Sequence, residues 1–166
     1  MPGIIDAHSH MAIEGGINEG SESVTPEVII PVRHDDPTIY RALAGGVTSA
    51  LLLHGSANTI GGQAQVIKMR WGAENPDDVI FEGAPRFVKF ALGENVTRAA
   101  SSAPDEDRRY PKSRMGVEQL LRWWFTQARE YEAEWQAFEE ESRRDRNAVP
   151  LAERNALREL VGAENG

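Results

Sequence analysis

Cysteine is absent from the 166 residues, so the chain has no disulfides and no thiolate ligands, and any bound metal must be held by histidine nitrogen or by oxygen. No apolar run approaches the roughly 18 residues that would span a bilayer, and the first residues lack the basic and apolar segments of a secretory leader. Basic residues are in deficit as well. Eighteen Lys and Arg against 26 Asp and Glu leave a net charge of -8, which disfavours attraction to phosphate backbones and anionic membranes. These absences point to a soluble, cytoplasmic chain with neither nucleic acid nor a membrane as its partner. Histidine is scarce too, with four copies, yet two of them stand two residues apart.

That pair lies in PGIIDAHSHM, residues 2 to 11. Pro2-Gly3 starts a strand sharply, Ile4 and Ile5 are expected to bury it, and alternation places Asp6, His8 and His10 on one face. Two neutral imidazoles on neighbouring same-face positions form a chelating pair for zinc or a similar divalent metal. Asp6 is expected either to accept a hydrogen bond or to stand behind the imidazoles and orient them.

Four stretches carry a family likeness: PGIIDAHSH, EGGINEGSESVTPEV, the run from DDPTIYRALAGG to QVIKMRWGA, and FEGAPRFVKFALGENVTR. The first resembles the opening barrel strand of the metal-dependent amidohydrolase superfamily. Together, over most of residues 2 to 125, they resemble an imidazolonepropionase-related bacterial subgroup. The resemblance implies an α/β fold, the first strands and helices of a partial (β/α)8 TIM-type barrel with long loops. A closed barrel of this kind typically needs about 250 residues. Residues 1–166 are therefore expected to be the N-terminal portion of one metallo-hydrolase barrel domain, with the later histidine strands and the general-base aspartate beyond the chain.

Along the sequence, residues 12 to 34 read as a long loop in which Glu14, Asn18 and Glu19 could border an active site. Asp35 or Asp36 suits an N-cap, with Pro37 at the first helical position and Gly45-Gly46 ending the helix. Val47 to Leu53 reads as a buried parallel strand. Its exit, HGSANTIGG, is expected to be a flexible turn. It could offer amides to an anion but lacks the lysine and spacing of a phosphate loop. His54, at that exit, is either a substrate contact or a solvated loop residue. Residues 64 to 71 and 79 to 82 read as two strands joined by a turn, and Phe87 to Leu92 as the next strand.

That last strand sets Lys89 among Phe, Val and Leu, where an ammonium pays for desolvation unless it is paired, ligated or modified, or unless its stem lets it snorkel to solvent. By family resemblance either a carboxylated Lys89 or Glu94 supplies an oxygen ligand beside His8 and His10, and Glu94 is favoured because it needs no modification. From Gly116 to Phe138 apolar residues recur every three or four positions, predicting a long amphipathic helix with a charged end at 139 to 146. Pro150 is expected to open a last helix with Leu151, Leu157, Leu160 and Val161 inward.

Two functional expectations follow. The resemblance implies a hydrolase of nonpeptide C–N bonds in an amide, lactam or cyclic imine, using a divalent metal, zinc first among them, and incomplete in this chain. The alternative is a noncatalytic interaction protein whose exposed half-barrel edges pair with a second copy of the chain or another partner.

Overall fold

The computed structural model describes residues 3–15, 23–98, 109–145 and 151–165. Strand β1 (Ile4–Ser9) is followed by α1 (Pro37–Ala44), β2 (Val47–Leu52), β3 (Ile60–Lys68), β4 (Phe87–Phe90), the single turn α2 (Glu94–Thr97), the long α3 (Arg114–Arg144) and α4 (Asn155–Asn165). The four strands form one sheet in the order β1-β2-β3-β4. The fold is mixed α/β. β1 and β2 run parallel, as a crossover through α1 requires, while β3 is antiparallel to both β2 and β4.

α1 starts where the sequence sets it. Asp36 is the N-cap, its carboxylate accepting from the Thr38 amide at 2.8 Å, and Pro37 follows with φ preset. Gly46 then takes φ +93, which a residue with a Cβ resists, and turns the chain into β2. β2 ends against β3 with Leu52 opposite Gln65. The expected turn at HGSANTIGG is much shorter than the sequence suggests. Gly61 and Gly62 already belong to β3, where small residues admit close backbone contact, and residues 58–64 are buried. The second expected strand, 79 to 82, is instead the end of a 3-10 turn (Pro76–Val79) with one bridge from Ile80 to Ile67.

Two larger apolar cores form among the described residues, beside a small one of Ala91, Val96 and Val117. One gathers Ile30, Ile39, Ala50, Leu52, Ile67 and Met69. The other joins Val24 and Ile60 to Leu120 and Ala128 of α3 and Leu160 of α4. The stripe on α3 thus packs as its spacing requires, and Ser113 caps the helix by accepting from the Gly116 amide at 3.1 Å. α4 begins at Asn155, later than Pro150 suggested; Pro150 itself lies outside the described residues. Leu157 and Leu160 are buried and Val161 half-buried, as expected.

The start of β1 departs from expectation. Ile4 and Ile5 are 58% and 73% exposed, because β1 is an edge strand paired on one side alone and no described element covers them. The segment from Ser23 to Val32, read as loop, is anchored across β3. Thr25 and Ile30 donate backbone hydrogen bonds to Ile60 and Gln63, and the Gln63 amide donates to Val28 at 2.7 Å. Among the described residues no helix is long and apolar enough to cross a membrane.

Candidate functional site

His8 lies near the end of β1 and His10 just past it, held beside the exit of β2 because the Leu53 amide donates to the Ser9 carbonyl at 2.9 Å. The two imidazoles converge: Nε2 of His8 stands 3.3 Å from Nε2 of His10, with the rings edge to face. Nδ1 of His10 lies 2.7 Å from the Leu53 carbonyl oxygen. A carbonyl can only accept, so the Nδ1 proton is fixed there, and in the neutral ring the Nε2 lone pair faces His8. Such a backbone acceptor on the far nitrogen is what orients metal-binding histidines generally.

The distance itself is informative. Two nitrogens on a tetrahedral zinc at ~2.0–2.1 Å each stand roughly 3.3–3.4 Å apart, the separation seen here. His8 is further disposed to be a neutral donor. Burial of its ring lowers its pKa below the ordinary imidazole value, and the Lys89 and His10 charges push the same way against a smaller opposing effect of Asp6. Asp6 does not orient either ring. Its carboxylate accepts from the His8 backbone amide at 3.1 Å and so shapes the strand end.

A cleft of about 480 Å³ opens beside the pair, lined by His8, Leu53, Ser56, Lys89, Glu94 and Asn95 among others. His8 and both residues expected to supply the oxygen ligand therefore face one space. Glu94 opens α2 and pairs with Arg98 at 2.7 Å in an exposed contact. Lys89 does not snorkel: its ammonium nitrogen is out of contact with water, and its stem packs beside Gly61, where a Cβ would meet it at 3.4 Å. Among the described residues no three His, Asp or Glu side chains are grouped closely enough to hold one ion.

One expected role at the cleft's margin, that of His54, needs revision. His54 is neither a substrate contact nor a solvated residue; it is fully buried, with Nε2 donating to the Gln63 carbonyl at 3.1 Å. Burial lowers its pKa, with the Lys89 charge acting in the same direction against the hydrogen bonds to Gln63 and Val28. Glu14 is exposed beyond the bridge from Ile13 to Val32, while Asn18 and Glu19 lie outside the described residues. The sequence reading missed Ser56 and Asn95 as lining residues and the Leu53 carbonyl as the partner of His10. A usable signal for Asn95 was its place directly after Glu94 at a strand exit.

With this geometry in view, two relatives place the chain. A crystal structure of an amidohydrolase from Thermotoga maritima MSB8 superposes with a TM-score of 0.81 at 32% identity, covering 97% of this chain and 42% of that one. The chain is similar to amidohydrolases. The amidohydrolase tasK of Hapsidospora irregularis is 33% identical over 135 residues, 69% of this chain and 13% of that protein. No family model matches. The chain thus spans less than half the length of either relative.

Proposed function

We propose that the chain supplies the first two metal ligands, His8 and His10, of a metal-dependent hydrolase acting on nonpeptide C–N bonds. The observation that carries this reading is the 3.3 Å approach of two Nε2 atoms, with the Nδ1 proton of His10 given to the Leu53 carbonyl. The two imidazoles fit a divalent metal such as zinc, since their nitrogen donors stand at the separation such an ion requires on a braced strand end. When bound, such an ion polarises a carbonyl or imine carbon and acidifies water. The chain's own residues do the rest that falls to it. His10 is oriented by the Leu53 carbonyl, the β1–β2 pairing fixes the spacing of the imidazoles, and the adjoining cleft admits a small polar substrate beside Ser56 and Asn95.

We propose Glu94 for the oxygen ligand ahead of Lys89. An ammonium has no lone pair to donate and needs carboxylation first, whereas Glu94 needs only to leave an exposed ion pair, a contact worth about 0–1 kcal/mol. The placement of the chain as the first part of a (β/α)8 barrel in an imidazolonepropionase-like subgroup belongs to the same proposal. Its support is the parallel β1–β2 unit and the amidohydrolase superposition.

Zinc titration by calorimetry tests the reading. Stoichiometric binding in the parent chain is expected, lost in His8→Ala and His10→Ala, weakened in Glu94→Gln and retained in Lys89→Met. A second reading has its own observation. Ile4 and Ile5 on one open edge and Phe87 and Phe90 on the other are exposed, which suits association with a second copy.

A further inference from the structure

We infer that His54 is a positioning residue for His10: by anchoring its own side chain beneath the strap of residues 23–32, it fixes the Leu53 carbonyl that dictates the His10 tautomer. The inference rests on the proposed metal site for its consequence, though not for its geometry.

The connection is covalent. The Leu53 carbonyl and the His54 amide belong to one planar peptide unit, so whatever immobilises His54 also aims that oxygen. On the Leu53 side the plane is tied to β1 through the Leu53 amide and the Ser9 carbonyl. On the other side the tie is the imidazole of His54, fully buried, with its Nε2 proton donated to the Gln63 carbonyl at 3.1 Å. That carbonyl also accepts from the Ile30 amide at 3.0 Å, so the imidazole is locked to both β3 and the strap.

Space for the ring exists because residue 62 is glycine. A Cβ there would lie 2.4 Å from His54 Nε2 and 2.0 Å from the Val28 carbonyl oxygen. Ring, glycine and strap therefore form one tight unit, too close-packed for the imidazole to take up another rotamer without moving backbone. A buried histidine next to the acceptor of His10 thus acts on the site without touching it.

The test compares His54→Leu, which keeps the volume and removes the donor, with His54→Gln, whose terminal amide can donate where Nε2 does. Long-range proton–nitrogen NMR of the His10 ring is recorded on the metal-free chain, and zinc affinity is measured separately. In the parent chain His10 is expected to carry its proton on Nδ1. In His54→Leu the ring should shift toward the Nε2–H form, with zinc affinity falling about tenfold, the lower end of what loss of an outer-shell partner costs. His54→Gln should recover both. Should His54→Leu fail to fold, His54→Asn, whose amide stops short of Gln63, serves the same comparison. A folded variant lacking the donor, with the parental tautomer and affinity, overturns the inference. Absence of zinc binding in the parent chain overturns the metal reading instead, and the metal-free tautomer comparison still decides the role of His54.

Discussion

At the scale of single residues, one structural fact divides the histidines. His8 lines the cleft with its Nε2 facing that of His10, whereas His54 is sealed from water. Because burial holds His54 neutral, the unfolded chain takes up a proton near the ordinary value of 6.5 while the folded chain does so only at lower pH. The unfolded state therefore binds more protons in that window. Its contribution to stability is fully present above about pH 6.5 and is lost as pH falls below it. Urea unfolding at pH 7.5 and 5.0 should show the parent chain losing stability at the lower pH. His54→Gln should lose less, the remainder reflecting His8, whose pKa is lowered in the same direction. An equal loss in both would assign the pH dependence to other groups.

At the scale of elements, the long helix and its partner carry much of the packing. Leu160 of α4 is fully buried against Val24, Ile60, Leu120 and Ala128, so Leu160→Ala should cost about 2–5 kcal/mol in chemical denaturation. A cost below about 1 kcal/mol would mean that α4 is not docked as described. Much of this was legible in the sequence. The period of the α3 stripe, the Asp36–Pro37 start and the Gly45-Gly46 stop each carry a local physical signal, and each element formed where that signal lies. β3 was read short at its start because Gly61 and Gly62, which follow Ile60, look like turn residues. What makes them strand is tertiary: the strap pairs with Ile60 and Gln63 and admits no side chain at Gly62. The His8–His10 pair was legible from spacing alone, since strand alternation is local. The burial of His54 was not, because the segment covering it, residues 23–32, lies about 22–31 residues earlier in the chain and its packing has no local signature.

At the scale of the whole molecule, the sheet formed by the described residues is open at both edges. β1 and β4 are its two edges, and both leave large apolar side chains in solvent. In the proposed barrel further strands would lie against those edges; in the second reading another copy would. Either way Ile5, 73% exposed, contributes little to the stability of the single chain. Ile5→Lys should shift the unfolding free energy by less than about 0.5 kcal/mol, as for an ordinary surface change, while reducing concentration-dependent association in sedimentation velocity. Unchanged association would remove this edge as the contact. The net charge of -8 spreads over a surface on which most ion pairs are exposed, including Glu118 with Arg122 and Arg129 with Glu164, so these pairs decide little of the stability.

We propose that the two imidazoles at the end of β1 are a preformed metal-binding pair. The most direct measurement is zinc titration of the purified chain beside His8→Ala and His10→Ala, with folding of each variant checked by circular dichroism. One equivalent bound by the parent chain and none by either folded variant is the predicted result. Zinc bound equally well by all three would contradict the claim, and so would a parent chain that binds none.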